Sequence, residues 1–206
     1  MINKSSMMIG IALVLGSAPA FGQSVAERKV RVGAGVGFAM PLGDLATAPL
    51  SYDVVRQVPI SLEADYFVLP HLLVGAYGQY GFAAGGQDSG DATVRDVSFG
   101  VQAQYHGAAG AALDPWLGLG AGYEILSERS DQAAMVARGF ELARLQAGLD
   151  LRVGPALAFG PFLGLSIDEY NHYKLTRGSD TAFDGSIDSK GFHEWLTVGV
   201  KGTIAL

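Results

Sequence analysis

The feature that most constrains this chain is a strict two-residue alternation of apolar and polar side chains, repeated in eight stretches of about ten residues along the sequence. In the first stretch Val30, Val32, Ala34, Val36, Phe38 and Met40 share one face, and Arg31, Gly33, Gly35 and Gly37 share the other. The fifth sets Leu117, Leu119, Ala121, Tyr123 and Ile125 against Gly118, Gly120, Gly122 and Glu124. The sixth sets Ala143, Leu145, Ala147, Leu149 and Leu151 against Arg144, Gln146, Gly148, Asp150 and Arg152. The last puts Leu196, Val198, Val200, Ile204 and Leu206 opposite Thr197, Lys201 and Thr203. Successive strand side chains point to opposite faces, so each stretch is a strand with one apolar and one polar or small face.

A half-buried soluble sheet shares that alternation, and three further features separate it from a membrane barrel. A tilted strand needs about 9–11 residues to cross a bilayer, which these stretches supply. The connections alternate between long polar segments (41–53, 83–93, 127–139 and 169–192) and shorter ones (67–71, 106–114 and 154–158) carrying Pro70, Gly107, Gly110 and Gly154-Pro155. Membrane barrels show this pattern, with short turns on one side and long loops on the other. An even strand count then puts both termini on the short-turn side. Aromatics on the apolar parity also gather near strand ends, Phe38, Tyr80, Phe82, Phe99 and Tyr123 at one rim and Tyr66, Tyr105 and Phe159 at the other. Trp116 and Trp195 fall on the opposite parity, and are expected at the rims or where the register slips. The fold class is all-β: an eight-stranded antiparallel up-and-down transmembrane β-barrel over 24–206.

Composition agrees. Only 17% of the chain is charged and 29 residues are Gly, whereas soluble domains carry about 25% charged residues. A net charge of −6 argues against nucleic acid as a partner, because phosphate binding needs basic surface. Without cysteine there is neither a disulfide framework nor a thiolate metal site. At the start, Lys4, the apolar run Met7–Leu15 and Ser17-Ala18-Pro19-Ala20 make a signal peptide over 1–22, cleaved after Ala20 or Gly22. The run is too short to cross hydrocarbon as a helix, which takes about 20 residues.

The segments PWLGLGAGYE (115–124), RLQAGLDLRVGP (144–155) and HEWLTVGVKGTIAL (193–206) resemble the small outer-membrane barrel families of the OmpA/OmpX and OmpW kind. The resemblance implies the cell outer membrane as the location. It implies outer-membrane lipid, lipopolysaccharide and the barrel-assembly machinery as partners, and leaves any partner of the loops unnamed. The OmpW likeness implies a narrow channel for ions or small hydrophobic solutes as one possible activity.

On the polar parity stand Arg31, Glu63, Asp65, Asp96, Glu124, Arg144, Asp150, Arg152, Asp168 and Lys201. Eight strands enclose a lumen just wide enough for side chains, and isolated buried charges are costly. These residues are therefore expected to form an internal ion-pair network that plugs the barrel; a water-filled pathway lined by them is the alternative. Gly33-x-Gly35-x-Gly37 and Gly118-x-Gly120-x-Gly122 lie within strands, not at the strand-to-helix turn of a dinucleotide site. Asp180, Asp184 and Asp188 lack the spacing of a calcium loop, and His71, His106, His172 and His193 lack that of a zinc site. His193-Glu194 raises a third reading, a lipid-modifying enzyme, which needs a Ser–His pair reachable from lipid. The apolar face offers none, so no catalytic residue, cofactor or metal is assigned. The expected role is structural or surface-interacting.

Two outcomes follow. The mature chain should fractionate with outer membranes and migrate faster on gels before boiling than after; recovery as soluble periplasmic protein would overturn the barrel. Leu119→Arg and Leu149→Arg should impair insertion, while Gly120→Ser, on the inward parity, is expected to be tolerated.

Overall fold

The computed structural model describes residues 29–45, 48–49, 54–85, 93–130, 132–178, 180–187 and 191–206. The proposed signal peptide and Asp188 lie outside the described residues. Ten strands follow in chain order: β1 (Val30–Leu45), β2 (Ala48–Pro49), β3 (Val54–Leu69), β4 (Leu72–Gly85), β5 (Thr93–His106), β6 (Leu113–Arg129), β7 (Ala133–Arg152), β8 (Leu157–Arg177), β9 (Asp180–Ser186) and β10 (Phe192–Ala205). Eight of them, all but β2 and β9, form the wall. Each pairs antiparallel with its neighbour, and β10 pairs with both β8 and β1, so the sheet has no open edge. The closing seam runs from Arg31↔Ala205 to Gly43↔His193.

The expected parity holds along the wall. Leu62, Val101 and Leu117 are 63%, 65% and 63% exposed on the outside, while Arg31, Glu63, Gln102, Gln104, Glu124 and Asp150 are buried inside. An apolar exterior of this extent is stable in hydrocarbon and not in water. The barrel is inside out relative to a soluble domain, and that inversion identifies a membrane protein. Turns at one end are tight, with Leu69 facing Leu72 across Pro70-His71. In the β5–β6 turn Gly110 adopts φ +94°, a conformation that favours glycine.

At the other end the strands outrun the expectation. Segments 127–139 and 169–192 were expected as loops, yet β6 and β7 continue to Arg129 and Ala133, and β8 continues to Arg177 before folding back as β9. β1 likewise reaches Leu45 and turns into β2. The 20 and 21 residues of β7 and β8 are about twice what the bilayer needs, so their outer halves stand in water. Backbone pairing persists there while apolar alternation lapses, because neither face meets lipid. The alternation therefore marks the membrane span and not the strand.

A bulge in β7 matters most for the interior. Gly120 faces Arg144 and Gly122 faces Glu141, so Leu142 and Ala143 together oppose the single residue Ala121. The extra residue resets the parity and turns both Glu141 and Arg144 inward.

Gly120→Ser should not be tolerated as the alternation alone suggested, because a Cβ there would stand 2.9 Å from the Val101 carbonyl oxygen and 3.3 Å from the Tyr77 ring. Gly118 is the better inward control: its Cβ would approach nothing closer than 3.5 Å. Leu119→Arg should cost roughly 2–4 kcal/mol of insertion near the midplane, and Gly118→Ala should change little. Urea titration of refolding into lipid vesicles measures both, and equal losses would overturn the assignment of faces.

Candidate functional site: the polar lumen

Inward residues sort into layers along the barrel axis. Near the tight turns, β1 and β10 each send one cation across the lumen. Lys201 Nζ lies 2.9 Å from Glu63 Oε1 and 3.7 Å from the centre of the Trp116 ring. Arg31 bonds Gln104, donates to His106 Nε2 at 2.8 Å, and reaches Asp150 at 3.4 Å, with Glu63 and Asp65 both at 3.9 Å. A guanidinium only donates, so His106 Nε2 accepts, and Nδ1–H donates to Asp114 at 2.8 Å. Gln102 and Gln104 donate to Glu63, and Gln102 also to Asp65. This layer binds strands β1, β3, β5, β6, β7 and β10 into one polar network.

The middle layer is built on Tyr77. Its ring lies against Gly120 and beneath the Arg144 guanidinium, 4.4 Å away, and its hydroxyl donates to Glu141. Arg144 reaches Glu141 at 3.4 Å and Gln79 at 2.8 Å. A Cβ on Gly100 or Gly122 would lie within 2.7 Å of the Tyr77 hydroxyl, so these glycines make room for it.

The outer layer is acidic. Glu124 accepts from Trp195 Nε1 at 2.8 Å and from His193 Nε2 at 2.9 Å. Asp168 accepts from Ser166 at 2.6 Å, and Asp96 lies against the Glu124 carboxyl and takes a long 3.4 Å bond from Gln57. One inward position further out on each strand, Val94 follows Asp96, Leu126 follows Glu124 and Tyr170 follows Asp168. These join Ala39, Ala137 and Trp195 in a buried apolar cluster that caps the acids.

The candidate residues are therefore divided, not gathered. Arg31, Glu63, Asp65, Asp150 and Lys201 meet in the first layer. Arg144 stands in the second, and Asp96, Glu124 and Asp168 in the third. Arg152 joins none of them: it is half-exposed at the mouth and donates to the Ala111 carbonyl at 3.3 Å. Trp116 and Trp195 sit inside without any slip of register, with Trp116 bonded to Asp150 and seated on Gly148. Tyr77, Gln102, Gln104, His106, Asp114 and Glu141 are lumen residues that the charge pattern did not pick out. Polar parity alone would have found Gln102, Gln104 and His106. Glu141 needed the bulge, whose trace is the apolar pair Leu142-Ala143 between two charges that both must avoid lipid.

Beyond the bilayer, Asp184 of β9 takes Lys174 and His172, each at 2.8 Å. Those bonds, Lys174's first, hold its carboxyl below the usual range. This acid is thus engaged by the chain's own cations.

No protein-family model matches the chain. No curated protein matches it either. Among solved structures it is similar to Neisserial surface protein A, at 13% identity and TM-score 0.55, over 86% of this chain and 97% of that one. It is also similar to the outer membrane protein OprG from Pseudomonas aeruginosa, at 12% identity and TM-score 0.52, over 89% of this chain and all of that one. The fold is that of the small outer-membrane β-barrels, in line with the resemblance and with the expected outer-membrane location.

Arg31→Met should leave Asp150 and Glu63 short of a partner, at a cost of about 3–5 kcal/mol for a broken buried pair. Arg152→Ala, at the wet mouth, should cost under about 1 kcal/mol. The temperature at which the folded gel band disappears reports both, and similar shifts would contradict this division of the lumen.

Proposed function

We propose that this chain is a structural or surface-interacting outer-membrane barrel whose lumen is closed by its own side chains. One observation carries the reading: Arg31 and Lys201 cross the lumen and are met there by Glu63, Asp150, Gln104, His106 and the Trp116 ring. Direct bonds between these groups leave little room for water, and the apolar cap closes the outer half as well. The long outer hairpins, stiffened by strand pairing in β6–β7 and β8–β9, present the surface through which such a protein would meet lipopolysaccharide or a partner. The barrel-assembly machinery would be its partner during insertion.

The narrow channel is the second reading, and a specific feature favours it. A vestibule of about 510 Å³ opens at the tight-turn end, lined by Lys29, Arg31, His106, Asp150 and Arg152. For catalysis the geometry offers less. Among the described residues every histidine is engaged by a charged group or a backbone carbonyl, and none by a serine.

Planar-bilayer recording separates the two readings. A plugged barrel gives no steady single-channel current, and Arg144→Ala lowers its thermal stability. Steady currents from the unmutated protein, with an ion selectivity that Arg144→Ala alters, would replace the plug with a pore.

A further inference from the structure

The outer layer poses a charge problem. Asp96, Glu124, Glu141 and Asp168 are each 1–2% exposed, and among the described residues Arg144 is the only Lys or Arg ion-paired with any of them. Arg144 serves Glu141 alone. Asp96 and Glu124 stand side by side with no cation between them, and a buried carboxylate without a counter-charge is strongly unfavourable.

Unpartnered polar atoms gather in the same layer, Gln57 Oε1 and Tyr170 Oη among them. Asp96 Oδ1 and His193 Nδ1 have no hydrogen-bond partner, although Asp96 is 1% and His193 0% exposed. Tyr170 stacks on the His193 ring at 4.2 Å and holds it over the carboxylates. One nitrogen of His193 and one oxygen each of Glu124 and Asp168 lie within 4.8 Å of one another. A cavity of about 20 Å³, room for a single water, lies on the side of Glu124 and Asp168 away from His193, where Glu141 and Arg144 also line it.

We propose that Glu124, Asp168 and His193 bind one first-row divalent cation of the Zn²⁺ type inside the outer half of the barrel. One imidazole with carboxylates is a ligand set for such metals, whereas Ca²⁺ takes 6–8 oxygens and Mg²⁺ keeps several waters. Donors about 2.0–2.2 Å from a tetrahedral metal stand roughly 3.4 Å apart. His193 Nε2 and Glu124 Oε2 now share a hydrogen bond at 2.9 Å, so binding requires that proton to leave Nε2 and the pair to open by roughly half an ångström, with Asp168 supplying an oxygen from within 4.8 Å. Two positive charges would offset the acids that Arg144 does not reach.

The test uses the folded barrel in detergent, stripped with chelator and equilibrated first with ZnCl₂, then with CoCl₂. Mass spectrometry should find one Zn²⁺ per chain, and Co²⁺ should show ligand-field absorption bands. Asp168→Asn and His193→Ala should each weaken retention by ~10-fold or more, while Asp150→Asn, in the layer at the other end, should leave it unchanged. The gel shift on boiling reports whether each variant is folded. Asn at position 168 can still accept from Ser166, so this variant carries the test if His193→Ala does not fold. No metal on the parent protein, equal retention by Asp168→Asn, or preference for Ca²⁺ over Zn²⁺ would each overturn the site. In the first case the carboxyls are balanced by protons alone.

Discussion

One requirement governs the rest of this structure: no backbone N–H or C=O can face hydrocarbon unpaired. A chain with β-alternation meets it only by closing the sheet, and the β1–β10 seam, thirteen rungs long from Arg31↔Ala205 to Gly43↔His193, does so. Closure with eight strands then fixes the width of the lumen. Once the width is fixed, interior volume becomes the scarce quantity, and the inward glycines follow from it. Gly148 lies under Trp116, and Gly100 and Gly122 crowd the Tyr77 hydroxyl. Trp116, Tyr77 and Phe162 are each matched by a neighbour with no side chain.

The same narrowness decides how charge is held. A wide pore could hydrate its ions; here they must find each other. Near the tight turns Arg31 and Lys201 are shared among Glu63, Asp65 and Asp150, and glutamine side chains fill the remaining donor and acceptor positions. Shared partners make such a network cooperative, so losing one member is felt by several. Replacing one cation there leaves more than one acid exposed to the low-dielectric interior.

Lipid made most of the wall legible in the sequence. Val32, Leu62, Leu119 and Val198 had to face out and Arg31, Glu63, Gly120 and Lys201 in, because a slip by one residue exchanges the faces. That constraint ends with the bilayer, and so does the legibility. Residues 133–139 and 172–177 are strand without the alternation, since their outward face meets water in place of lipid while Ala137 and Tyr173 turn into the apolar cap. Parity also says which side chains enter the lumen but not which of them meet. Arg152 and Arg144 share a parity in one strand, yet one lies at the mouth and the other over the Tyr77 ring and against Glu141. Gly120 was misread for a related reason: an inward glycine reads as spare room until the position of the Tyr77 ring is known.

The β7 bulge shows how a local irregularity settles a global electrostatic question. With regular pairing, Glu141 and Arg144 would fall on opposite faces, and one charge would lie in lipid at a cost of several kcal/mol for a cation near the midplane. Placing Leu142 and Ala143 together on the outside turns both charges inward three residues apart. It also brings Arg144 to Glu141, at the lower edge of the acidic layer. The apolar cap of Val94, Leu126, Ala137 and Tyr170 keeps outside water from screening those acids. Arg144 spends its reach on Glu141 and Gln79, so Asp96, Glu124 and Asp168 are left to one another. The bulge thus resolves the charge problem of the membrane-facing wall, and by fixing where its arginine can reach it leaves a second one inside.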